Sequence, residues 1–186
     1  MTLTVDAAAR SHTGLVRRRN EDAVYAGKYL FAVADGLGGH VAGDVASNAV
    51  VEALRSCDRP VEPSELAAVL GPAINVTNQV LRRKIEAEPK LAGMGTTLVA
   101  MLRSGTTAVV ANVGDCRAYV LRSGTSRLVQ ITEDHTYGNL VADAGDVPNL
   151  PGRISRFLDG RADGRSPTSL PATSIPVTGS CCALTG

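Results

Sequence analysis

The chain lacks any excess of charge: 19 Lys and Arg residues stand against 18 Asp and Glu, a formal net charge of +1. A surface so balanced has no field with which to gather nucleic acid or an anionic membrane, and neither is expected as a partner. Long hydrophobic runs are missing too, the longest falling far short of the roughly 20 residues that span a bilayer. No basic residue leads into an apolar stretch at the start, where Asp6 interrupts, so the first residues do not read as a signal peptide. The four cysteines, Cys57, Cys116, Cys181 and Cys182, follow neither metal-ligand nor disulfide-framework spacing. These absences point to a reduced, cytoplasmic protein. Lysine is scarce, 3 against 16 arginines, which with abundant Ala, Gly and Val suggests GC-rich codons.

What is there fits one domain: 186 residues, 44% of them hydrophobic, suffice for a proper core. The stretch around which the rest is organised is Leu30-Phe31-Ala32-Val33-Ala34-Asp35-Gly36-Leu37-Gly38-Gly39-His40. It starts as an apolar run of strand length and ends in one carboxylate followed by a glycine-rich turn. A buried strand that delivers an Asp where Gly lets the backbone approach a ligand suits a metal site, although Asp-Gly is also an ordinary turn pair.

Upstream, residues 2–8 alternate as an edge strand does, and Ser11-His12-Thr13-Gly14 reads as a turn. Arg17-Arg18-Arg19-Asn20-Glu21-Asp22 runs three cations into two anions, either a solvated charge run or an arginine fork for an anion beside a metal-facing carboxylate. Residues 24–26 and 29–34 predict a hairpin across Gly27-Lys28, which brings Glu21 near Asp35. Helical spacing of apolar residues predicts one helix over 42–55 and, past Pro60 and Pro63, a second from 64 to about 88, stopped by Pro89. Four short runs follow at 96–102, 106–112, 117–121 and 127–131, separated by Gly turns, and a short helix is expected at 135–144. Two strands, two helices and four strands do not alternate as βαβ units do, so the expected class is α+β, antiparallel sheets with helices outside.

Gly114-Asp115 again sets a carboxylate in a turn after an apolar strand. With Glu21, Asp22 and Asp35 it makes four carboxylates at turns or strand ends, and oxygen donors of this kind suit Mg²⁺ or Mn²⁺ rather than zinc. His12, His40 and His135 stand apart in sequence and read as structural or solvated.

Five segments in order, R-x-x-N-E-D, A-D-G-x-G-G-H, G-M-G-T-T, N-V-G-D-x-R-A-Y and T-x-D-H, all between Arg17 and His135, resemble the bacterial branch of the metal-dependent protein phosphatases, the type 2C or PPM family. The resemblance implies a sandwich of two antiparallel sheets flanked by helices, two Mn²⁺ or Mg²⁺ ions at one end with a third beside them, and hydrolysis of phosphoserine and phosphothreonine. It makes Asp35 the bridging ligand and Gly36 a carbonyl ligand. Glu21 becomes a ligand acting largely through water, with Asp22 behind it, and Asp115 a ligand of the third ion. Arg17 holds the substrate phosphate. The implied partners are phosphoproteins made by bacterial serine/threonine kinases, met by a monomer.

Two departures qualify it. Where eukaryotic members place a His after Asp-Gly, this chain has Leu37, so the leaving group takes its proton either from His40, the possible general acid, or from a metal-bound water, with His40 then a structural residue of the turn. The S-D-G strand end and later D-N pair that complete the family's ligands are absent, and the likeness fades after Arg153-Ile154-Ser155-Arg156-Phe157-Leu158. Residues 1–167 read as the N-terminal portion of a phosphatase domain; residues 168–186, rich in Thr, Ser, Pro and Ala, read as a non-native tail without structure. Permitted codons for Pro176 to Gly186, read two bases out of frame, encode G-D-R-F-L-L-C-S-D-G, the missing strand, so a frame shift is expected. The alternative to an enzyme is a catalytically inactive, phosphatase-like binding or regulatory protein.

Overall fold

The structure is a computed structural model and describes residues 5–37, 42–141 and 148–161, together with the backbone of 173–176 and 179–184. The predicted hairpin forms from β1 (Asp22–Ala26) and β2 (Leu30–Leu37), joined through Gly27 and Lys28. Its turn is held from outside by the Asp58 carboxylate, which accepts hydrogen bonds from the Tyr29 amide at 2.7 Å, the Leu30 amide at 3.1 Å and the Tyr25 hydroxyl at 2.8 Å. β2 alternates with period two: Leu30, Ala32, Ala34 and Gly36 are buried, while Phe31, Val33, Asp35 and Leu37 take the other face.

That alternation sorts the two layers. Leu30, Ala32 and Ala34, with Leu98, Ala100, Leu102, Val109 and Val113, meet α1 (Gly43–Leu54) and α2 (Leu66–Ala87) through Val50, Leu54, Leu66, Leu70, Ile74 and Leu81. The opposite face supplies Val33, Val99, Met101 and Val110 to a smaller cluster with Cys116, Ala118 and Ile131 of the second sheet. The larger sheet runs β1-β2-β4-β5-β8, with β3 (Gly95–Thr96), β4 (Leu98–Ser104), β5 (Thr107–Val113) and β8 (Thr173–Pro176); β3 also pairs with β2. The smaller runs β7-β6-β9, with β6 (Arg117–Arg122), β7 (Leu128–Gln130) and β9 (Gly179–Leu184). Every strand pairing is antiparallel, so the α+β sandwich flanked by helices is the observed class.

Several boundaries differ from expectation. Residues 5–8 of the expected edge strand carry no strand, and the run at 127–131 shrinks to Leu128–Gln130. The helix expected at 135–144 is only α3 (Tyr137–Leu140); the rest of that range beyond Val141 lies outside the described residues. Its first two amides, of Tyr137 and Gly138, are satisfied from outside by the carbonyls of Arg153 and Pro151, both at 3.0 Å. The tail expected to lack structure contains β8 and β9. Pairing needs only backbone amides and carbonyls, and the outer edges of β5 and β6 offer both whatever the side chains of the tail.

Residues 148–161 form a strap. It pairs beside Thr136 at Ile154, exchanges two 2.9 Å hydrogen bonds between Leu158 and Thr96, and ends against α2. There Asn78 accepts the amides of Asp159 at 3.1 Å and Gly160 at 2.8 Å, and donates to the Arg161 carbonyl at 2.9 Å. Among the described residues no helix is long and apolar enough to cross a membrane.

Candidate metal and phosphate site

Asp35 sits opposite Asp22 in the β1–β2 register. Its amide and carbonyl both turn to Thr97: the amide donates to Thr97 Oγ1 at 3.1 Å, and the carbonyl accepts the Thr97 amide at 2.9 Å and the Thr96 hydroxyl at 2.9 Å. A residue that spends its backbone on one neighbour faces the other as a non-hydrogen-bonded pair, in which side chains approach most closely. Asp22 and Asp35 thus stand side by side within hydrogen-bonding reach. Burial, the Asp22 charge and the Asp115 charge push the Asp35 carboxyl up to about 6, against the opposing pull of Arg17. Like charges held opposite one another destabilise a sheet unless something answers them.

The Asp115 turn is built as firmly. Gly114 has φ +108, and a Cβ there would fall 2.6 Å from Thr97 Cγ2, so only Gly fits. Its carbonyl accepts the His135 amide at 2.9 Å and Asn112 Nδ2 at 3.1 Å, and its own amide donates to His135 Nδ1 at 3.1 Å. Burial lowers the His135 pKa, keeping the ring neutral with its proton on Nε2. Thr97 links this turn to Asp35, since Thr97 Oγ1 lies 2.9 Å from Cys116 Sγ. Burial pushes the Cys116 thiol up to about 12, so it is no nucleophile.

Glu21 turns the other way. Its backbone carbonyl accepts the Gly36 amide at 3.1 Å and the Ser47 hydroxyl at 2.6 Å, while its carboxylate lies against Gly43, the first residue of α1. A Cβ on Gly36 would stand 2.2 Å from the Gly43 carbonyl oxygen, and one on Gly43 would stand 2.6 Å from Glu21 Oε2. Strand end, helix start and carboxylate touch with no side chain between them, at a helix N-terminus where negative charge is favoured.

Arg17, exposed, lies near enough for its charge to act on Asp35. The structure thus brings Arg17, Asp22, Asp35 and Asp115 together at one end of the gap between the sheets and puts Glu21 and Gly36 just around the strand end. His40 lies outside the described residues. Among the described residues no three Asp, Glu, His or Cys side chains converge into a metal-holding trio. In kind the donors fit a hard dication: all are oxygens, and the buried acidic group around Asp35 is one that such a charge relieves. In number they are a partial set, as the missing S-D-G and D-N segments require. G-M-G-T-T has no role that its sequence alone declares; Thr96 and Thr97 are the clamp on the Asp35 backbone.

The protein phosphatase 2C family pattern matches residues 11–141. This chain belongs to that family. It is 46% identical over 147 residues to the serine/threonine protein phosphatase PstP of Mycobacterium tuberculosis, covering 79% of this chain and 28% of that protein. With the serine/threonine phosphatase stp of Listeria welshimeri it shares 37% identity over 150 residues, 76% of this chain and 59% of that one. The chain therefore spans about a quarter to three-fifths of these curated relatives. Among solved structures, the catalytic domain of PstP in complex with two manganese ions superposes with a TM-score of 0.78 at 40% identity, over 94% of this chain and 73% of that one. Stp1 of Staphylococcus aureus gives a TM-score of 0.71 at 28% identity, over 93% and 69%.

Proposed function

We propose that residues 1–167 are the N-terminal portion of a metal-dependent protein phosphatase acting on phosphoserine and phosphothreonine in proteins. One observation carries the reading: Asp22 stands opposite Asp35 in the β1–β2 register, and the charges of Asp115 and Arg17 both act on the Asp35 carboxyl. An acidic group answered by dications and a cation answered by a phosphate make one functional unit.

Asp35, Glu21, the Gly36 carbonyl and Asp115 are the groups that would hold two Mn²⁺ or Mg²⁺ ions, and a third at Asp115. Such ions supply Lewis acidity, lowering the pKa of a water and offsetting charge on phosphoryl oxygens. Arg17 forks onto the phosphate and fixes its orientation. Asp22 holds the Asp35 carboxylate in place, and His40 is the candidate donor of a proton to the leaving oxygen. The relatives named serine/threonine phosphatases and the two-manganese PstP structure support this reading. Residues from 168 onward, in our reading, stand where a shifted frame replaces the family's remaining ligands; sequencing the gene tests that. We infer a cytoplasmic monomer serving kinase-made phosphoproteins, supported by Cys57 and Cys116 being free thiols.

Titrating Mn²⁺ to millimolar concentration against an aryl phosphate and a phosphopeptide tests the activity. Turnover that chelation abolishes is expected. Retained phosphopeptide binding without turnover would instead establish a non-hydrolysing binder.

A further inference from the structure

We propose that residues 11–20 form a docking loop that reads the residues beside the phosphorylated side chain, and that its partner is a phosphopeptide with an aliphatic residue next to phosphoserine or phosphothreonine. This deepens the phosphatase reading and rests on it.

The loop is tied at its neck by polar bonds rather than by a core. Asn20 Nδ2 donates to Ser11 Oγ at 2.7 Å, and Asn20 Oδ1 accepts the Asp22 amide at 3.1 Å, which joins the neck to β1. Inside it Gly14, at φ +78, donates its amide to His12 Nδ1 at 2.9 Å and turns the chain back. The result displays Leu15 at 102% and Val16 at 93% exposure. Neither side chain contributes to the fold. Single exposed aliphatics are commonplace, but two in succession, held on a braced turn, are a surface awaiting an apolar partner.

The neighbours say which partner. Val16 precedes Arg17, whose charge reaches Asp35, and Arg18 and Arg19 follow, both exposed. A cleft of about 350 Å³ runs along this loop from His12 past Leu15, Val16 and Arg17 to Glu21 and Asp22. Consecutive residues of any chain are 3.8 Å apart at Cα. A peptide whose phosphate meets Arg17 therefore carries its flanking residues within one or two such steps, close enough for one of them to reach Leu15 or Val16. The cations complement the phosphate; the aliphatic pair complements what flanks it.

The test uses two peptides of equal length and charge carrying a non-hydrolysable phosphonate in place of phosphothreonine, one flanked by Leu and Val, the other by Ser and Gln, plus an unphosphorylated control. Binding to the full chain in Mn²⁺ is followed by fluorescence anisotropy. The aliphatic peptide should bind about tenfold more tightly, the scale set by covering part of two aliphatic side chains. Leu15→Ser with Val16→Ser should bring the ratio of the two Kd values near one. Equal binding of both peptides by the parent chain, or an unchanged ratio in the double variant, overturns the docking loop while leaving the phosphatase reading standing. Phosphonate-independent binding of all three peptides overturns both.

Discussion

Asp35 is held at a pKa of about 6 by burial and by Asp22 and Asp115, whereas an unfolded Asp titrates near 4. The folded value is the raised one, so this group contributes stability that is fully present below about pH 4 and is lost as the pH rises through about 6. In the metal-free chain Asp35→Asn should therefore raise Tm at pH 7.5, by roughly 5 °C for a domain of this size. Asp35→Ala should abolish any metal-dependent turnover if, as proposed, its carboxylate helps hold the ions. Metal binding must displace the Asp35 proton, so Mn²⁺ affinity followed by calorimetry should fall about tenfold per pH unit below 6 and level off above it. Arg17→Ala should raise KM for a phosphopeptide about tenfold with a smaller change in kcat, because a fork onto phosphate holds ground state and transition state alike. Arg18→Ala should do less, and the reverse order would shift the assignment by one residue.

Among the elements, α2 gives the sharpest case of a polar residue doing what apolar packing does elsewhere. Asn78 satisfies two amides and a carbonyl of the strap, and the donors are buried. Asn78→Ala should cost about 2 kcal/mol, the price of stranding buried amides, seen as a lower urea midpoint at unchanged slope. This contact was not legible in the sequence. The helix itself was, because burial on one face imposes a 3.6-residue period, although Val76, at a position that period assigns to the core, is exposed; Asn78 lies among the buried Leu66, Leu70, Ile74 and Leu81 as an exception, and its partners are 81 to 83 residues away. The hairpin and Asp35 were readable from alternation and a turn pair, both local signals. Thr97 was not, since its task depends on a register set between strands far apart in sequence. Nor was the strand content of the tail, where the edges of β5 and β6 outweigh composition.

For the molecule as a whole, β8 and β9 cover one edge of each sheet. A chain ending at residue 167 should leave those edges of β5 and β6 open, and light scattering at micromolar concentration should report association that the full chain lacks. The sheets themselves meet at Thr97. Its hydroxyl stands between the Asp35 amide of the larger sheet and the Cys116 sulfur that leads into β6, and its methyl occupies the space Gly114 leaves open. Drawing the layers apart breaks those contacts, which couples loosening of the acidic centre to loosening of the sandwich. In deuterium exchange the Asp35 amide and the amides of β6 should open as one cooperative unit, with a single protection factor that Thr97→Val lowers for both together.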